Sequence, residues 1–67
     1  MESKDYYKAI IKEHLKQNHQ NLLTELENNN ELEEVLDYRA ERFLNQMSRS
    51  SNPQDEKEIY YQEMLTF

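Results

Sequence analysis

Residues 31–47, ELEEVLDYRAERFLNQM, set Leu32, Val35, Leu36, Ala40, Phe43, Leu44 and Met47 at three- and four-residue intervals, which makes one face of a helix apolar along its length. Glu31, Glu33 and Glu34 crowd the start of this stretch, and Arg39, Arg42 and Arg49 lie towards its end. That order suits the helix dipole. The preceding Asn triplet supplies a start signal: Asn30 is predicted to accept from the amide of the third helical residue, with Glu33 reaching back to complete a capping box. The predicted helix runs from Glu31 to about Met47.

The chain upstream follows the same period. Tyr7, Ile11 and Leu15 form one i, i+4 row of a helix predicted from Lys4 to about Asn18, with Tyr6, Ile10 and His14 beside them and Ser3 as its N-cap. Asp5 places negative charge in the first turn. Residues 20–27 carry Leu22, Leu23 and Leu26 and read either as a short separate helix or as a bent extension of the first. The short helix is the preferred expectation, with Asn18 and Asn21 as the residues that break the chain there. Downstream, SRSSNPQDEKE is both linker and start signal, because Asn52 can cap, Pro53 fits the first helical position, and Asp55 and Glu56 suit the first turn. A last helix is predicted from Pro53 to about Leu65, with Tyr60–Met64 and Tyr61–Leu65 as its i, i+4 pairs.

Composition agrees with this pattern. Glycine is wholly absent, which disfavours tight hairpins and phosphate-cradling loops but leaves helices untouched. The expectation is one all-α domain over residues 1–67, a bundle of three main helices with a short additional one. With 36% hydrophobic and 33% charged residues, the chain reads as folded rather than as a disordered tail. At 67 residues it leaves much apolar surface uncovered, so a protein partner or a homodimer is expected. There is no Cys to make a disulfide or a thiolate metal site. Neither a signal-peptide core nor a run of about 20 apolar residues is present, so the expectation is a cytoplasmic protein away from the membrane.

The net charge of −6 disfavours nucleic acid as a partner, but the charge is uneven. Residues 1–19 sum to +1, residues 20–38 to −6, residues 39–49 to +2 and residues 50–67 to −3. Lys4, Lys8, Lys12 and Lys16 form a ladder on the first helix, and Glu33, Asp37 and Glu41 an acidic row on the third. Each is a candidate electrostatic surface, and each also reads as a solvated face or as one half of an internal docking between basic and acidic elements. The ladder lacks arginine, the usual choice for bidentate phosphate contacts.

Tyr6, Tyr7, Tyr60 and Tyr61 occur as two adjacent pairs near the two ends of the chain. Neighbours in a helix point in different directions, so one member of each pair can pack inside while the other stays at the rim as a candidate interaction surface. His14 and His19, five apart, fall on different faces of a continuous helix, which does not suit a zinc site, and no metal or other cofactor is expected. Nearly every serine lies in the linker, and no nucleophile, base and oxyanion donor stand together in the pattern, so no catalytic residues and no enzymatic activity are expected.

The Tyr6–Tyr7 opening, HLKQNHQNL with Leu15, His19 and Leu22, YRAERF with Arg39, Ala40 and Glu41, and a closing helix with Glu63 and Leu65 resemble the N-terminal part of a family of small helical domains of unknown function. That family is carried near conjugative transposons in gut bacteria. The resemblance implies a bacterial cytoplasmic protein linked to mobile DNA and implies no activity. The function expected is a non-enzymatic interaction module. The alternative is a regulator that binds DNA, or a DNA-binding protein, through the lysines with Arg49 or through Glu33, Asp37 and Glu41.

Overall fold

The computed structural model of the protein describes residues 3–67. Four helices follow one another: α1 (Lys4–Asn18), α2 (Gln20–Asn28), α3 (Leu32–Arg49) and α4 (Pro53–Leu65). The fold is an all-α small bundle, with no strand among the described residues. None of these helices is long and apolar enough to cross a membrane.

α1 starts as its sequence suggests, with the Ser3 side chain accepting from the Tyr6 amide at 3.4 Å. It ends at His19, whose φ of −141° and ψ of 52° leave the helical region and open α2. Residues 20–28 are therefore a separate helix, and the break falls at His19 rather than at Asn18 or Asn21. Asn18 instead turns its side chain back and donates to the His14 carbonyl at 3.3 Å.

The α2–α3 junction differs from its predicted form. Asn30 does not cap α3: at φ 59° it adopts the left-handed conformation that terminates α2. The Glu31 amide bonds to the Leu26 carbonyl at 2.9 Å and the Asn30 amide to the Glu27 carbonyl at 3.2 Å, the pair of bonds that defines a Schellman ending. With no glycine in the chain, Asn is the residue that takes this conformation at least cost. Consequently α3 begins at Leu32, with no side-chain cap, and extends to Arg49.

At the last junction Asn52 stands at the N-cap of α4, but its side chain makes no capping bond. Its carbonyl accepts from the amides of Asp55 and Glu56 at 3.1 and 3.0 Å. Ser50 closes the linker instead: its hydroxyl accepts from the Asn52 amide at 3.2 Å and donates to Glu56 Oε2 at 2.7 Å.

Short connections run α1 and α4 antiparallel to α3, as the cross-pairs Lys4–Asp37 with Lys8–Glu33 and Arg39–Thr66 with Phe43–Tyr61 require. The core between them is Tyr7, Ile11 and Leu15 of α1, Leu23 and Leu26 of α2, Leu36, Ala40 and Phe43 of α3, and Met64 of α4. Burying one large apolar side chain is worth roughly 1.5–3 kcal/mol, so Phe43 and Tyr7, at 1% and 2% exposed, are central to stability. No buried side-chain polar atom among the described residues lacks a partner.

Candidate interaction surfaces

The lysine ladder divides in two. Lys4 Nζ lies 2.8 Å from Asp37 Oδ1, and Lys8 pairs with Glu33. These hydrogen bonds raise the pKa of both lysines, with the carboxylate charges adding to them, and the Lys4 ammonium holds the Asp37 carboxyl below its ordinary value. The upper ladder and the acidic row are thus two sides of one seam that fixes α1 against α3. Glu41 adds its field to Lys4 from further along α3. Lys12 and Lys16, one and two turns beyond, are exposed and make no ion pair among the described residues.

Phe43 joins Tyr7 of the first tyrosine pair to Tyr61 of the second. Tyr6 meets Tyr7 edge-on at 5.2 Å between ring centroids, Tyr7 packs on Phe43 at 4.7 Å, and Phe43 meets Tyr61 at 6.1 Å. The first pair splits into an inner and an outer member: Tyr7 is a core residue, unsuited to a surface, and Tyr6 is 53% exposed. The second pair does not split, since Tyr60 and Tyr61 are both half-buried. Tyr60 has a fixed task at its polar tip, donating to Glu56 Oε2 at 2.8 Å.

Ser50, Glu56 and Tyr60 place a hydroxyl beside a carboxylate, the first requirement of an activated nucleophile. The hydrogen bonds from Ser50 and Tyr60, however, hold the Glu56 carboxyl below its ordinary value, and the bond to Glu56 pushes the Tyr60 phenol up. A carboxylate so stabilised is a weaker base, and the Ser50–Glu56 bond ties the linker to α4.

His14 and His19, expected on different faces, have ring centroids 5.7 Å apart because the chain breaks at His19. The cluster continues to Phe67, 6.0 Å from His19, and to Arg39, whose guanidinium lies 3.8 Å over the Phe67 ring. Arg39 also donates to the carbonyls of Met64 and Thr66 at 3.2 and 2.6 Å. Burial, together with neighbouring Arg42, lowers its pKa. The last turn of α4 has no basic residue of its own, and Arg39 supplies the cation and donors that its end requires. Among the described residues no three His, Cys, Asp or Glu side chains are placed to hold a metal ion.

The outer side of α3 escaped the sequence reading. Tyr38 is 63% exposed, the most exposed large apolar side chain of the described residues, and with Arg42, Asn45 and Arg49 it forms a row along one helix face. An open groove of about 490 Å³ follows that row, and a second of about 340 Å³ opens where Tyr38, Arg42 and Gln46 face Glu63 and Thr66 of α4. The helical period held the signal, since Tyr38 lies between Leu36 and Ala40 and must turn away from the face they share.

No protein-family model matches the chain, and no curated protein or solved structure matches it significantly.

Proposed function

We propose that the chain is a non-enzymatic interaction module that engages a protein partner, or itself, through surface-held aromatic and apolar side chains. The observation that carries this reading is the exposed Tyr6 ring seated edge-on against the buried Tyr7. A ring already fixed by the core has little conformational freedom to lose on binding and offers apolar area with a polar tip, the properties of an interface anchor. Ile59, 58% exposed on α4, adds uncovered apolar surface. The resemblance of the tyrosine opening and of YRAERF to domains carried beside mobile DNA adds a bacterial, cytoplasmic setting to the proposal.

The competing reading, a regulator that binds DNA or a DNA-binding protein, must work with fewer charges. Lys4 and Lys8 are paired with Asp37 and Glu33, which leaves Lys12, Lys16 and Arg49 for DNA, and Glu41 of the acidic row for a DNA-binding protein. Retention of duplex DNA at low salt, lost on Lys12→Glu, would favour it.

The test is solution mass by light scattering across a concentration series at low and high salt, with dye binding to apolar surface in parallel. Association that persists at high salt and weakens in the Tyr6→Ser, Ile59→Ser chain supports the module. A strict monomer whose dye binding equals that of this variant overturns it.

A further inference from the structure

The charges of α3 sort into two sets. Glu33 and Asp37 face α1 and are paired with its lysines, and Arg39 faces α4 and completes its end. Glu34, Glu41, Arg42 and Arg49 are exposed and make no ion pair among the described residues, with Glu41 near enough to α1 to act on Lys4 and Arg42 bordering Glu63 and Thr66 of α4. With Tyr38 and Asn45 they occupy one stripe, exposed throughout.

The order of that stripe is self-complementary. When a second α3 is laid antiparallel across the first, with the two-fold axis between positions 41 and 42, Glu34 falls opposite Arg49 of the second copy. Glu41 then falls opposite Arg42, and Tyr38 opposite Asn45. Each match occurs twice, because a two-fold contact is isologous. A parallel arrangement sets every charge against its own kind, and an antiparallel slip that aligns Arg42 with Arg49 sets arginine against arginine. Only an approach near the first register pairs all four charges, so repulsion selects it as much as attraction does. The 490 Å³ groove along Tyr38, Arg42, Asn45 and Arg49 leaves room for the facing side chains.

We infer that the outer face of α3 is a homodimer interface in which two copies pair antiparallel through Glu34–Arg49 and Glu41–Arg42. The occupant is a second copy because the face carries both halves of its own charge pattern. This names a partner within the interaction-module reading, yet it uses a different face from Tyr6 and Ile59, so the two fail separately. The contact is polar, and exposed ion pairs are weak and screened by salt. The dimer is therefore reversible and salt-sensitive, whereas association through the tyrosine surface survives salt.

Sedimentation of the whole chain from micromolar to millimolar concentration tests this. At low salt a dimer forms, and at roughly 1 M salt, where screening acts within about 3 Å, it dissociates. Arg42→Glu sets two like-charge pairs across the axis and weakens self-association by about tenfold or more. Because that side chain is exposed, the helical content is unchanged. The Glu41→Arg, Arg42→Glu chain restores the pairing in reverse and regains wild-type self-affinity. In parallel, the Tyr38→Cys, Asn45→Cys chain, oxidised, yields a covalent dimer. Seven residues along one helix, about 10.5 Å, is too far for a bond within the copy. A wild-type monomer throughout the low-salt series, a dimer indifferent to Arg42→Glu, or failure of the double swap to restore it would each overturn the inference.

Discussion

Arg39 donates from Nη1 to the carbonyl of Thr66 at 2.6 Å, so that a side chain of α3 completes the C-terminal end of α4. The same group bonds to Met64 and stacks over Phe67. A lysine could supply charge at this place but neither the planar fork nor the stacking surface. Arg39→Lys is expected to destabilise the domain by about 1–2 kcal/mol, in the range of hydrogen bonds to charged groups. Amide hydrogen exchange is the discriminating measurement: residues 62–67 should lose protection while α1 keeps its own. Uniform loss over both helices would mean that Arg39 acts on the core rather than on the α4 end.

The ion pairs and the Ser50–Glu56–Tyr60 group give stability a defined pH window. Asp37 and Glu56 are held below their ordinary values of 3.8 and 4.5. Their contribution is present above those values and is lost as pH falls through the depressed ones. Lys4, Lys8 and Tyr60 are raised above 10.5, 10.5 and 10.0, and their contribution is complete below those values and lost as pH rises through the raised ones. Urea midpoints should therefore stay level from about pH 5.5 to 9.5 as far as these groups are concerned, and decline on both sides. Glu56→Gln with Asp37→Asn should flatten the acid limb and leave the neutral midpoint lower. An acid limb unchanged in that variant would remove these two carboxylates from the account.

The helix order, the bounds of α1 and α4 and the apolar rows of α1 and α3 were legible because each depends on spacing within about four residues. What stayed hidden depends on longer reach or on residues with two roles. Asn serves equally at a helix start and in a left-handed ending. The choice at Asn30 was decided by the amide of Glu31 finding Leu26, which no cap pattern displays. Arg39 read as a dipole partner for its own helix, whereas its hydrogen bonds lie 25 and 27 residues away. The lysine ladder was legible as a docking element but not as a split one, since the antiparallel register that sets Lys4 on Asp37 and Lys8 on Glu33 reaches the start of α3 at Leu32 before it reaches Lys12. For the tyrosines, spacing foretold that Tyr6 and Tyr7 would separate but could not foretell the Glu56 bond that fixes Tyr60.

The left-handed Asn30 is the position where backbone conformation alone sets stability. Asn30→Gly removes the steric cost of positive φ and should stabilise by a few tenths to about 1 kcal/mol, less what glycine gains in unfolded-chain entropy. Asn30→Val should destabilise by about 1–2 kcal/mol, since a branched Cβ clashes with the carbonyl in that region. Thermal unfolding of the three chains orders them Gly, Asn, Val. A valine chain as stable as the wild type would mean that the α2–α3 junction is not left-handed in solution.

Phe43 joins Tyr7 of α1 to Tyr61 of α4 and is 1% exposed, so its ring is the contact through which three helices share one core. Removing a buried phenyl group costs about 3–5 kcal/mol. A domain of 67 residues has only about 3–10 kcal/mol in all, at the usual 0.05–0.15 kcal/mol per residue. Phe43→Ala is thus expected to leave the chain largely unfolded at 25 °C, with its helical circular dichroism lost. Phe43→Leu keeps most of the volume and should cost about 1–2 kcal/mol while retaining a cooperative transition. Tyr38→Ala, five residues earlier on the outer side of the same helix, should change stability by no more than about 0.5 kcal/mol. The contrast separates burial from helix propensity, because alanine is the best helix former and both substitutions introduce it. Equal losses at the two positions would place Tyr38 in a packed interface in the protein as isolated, and equal tolerance would show that the ring of Phe43 is not the centre of the core.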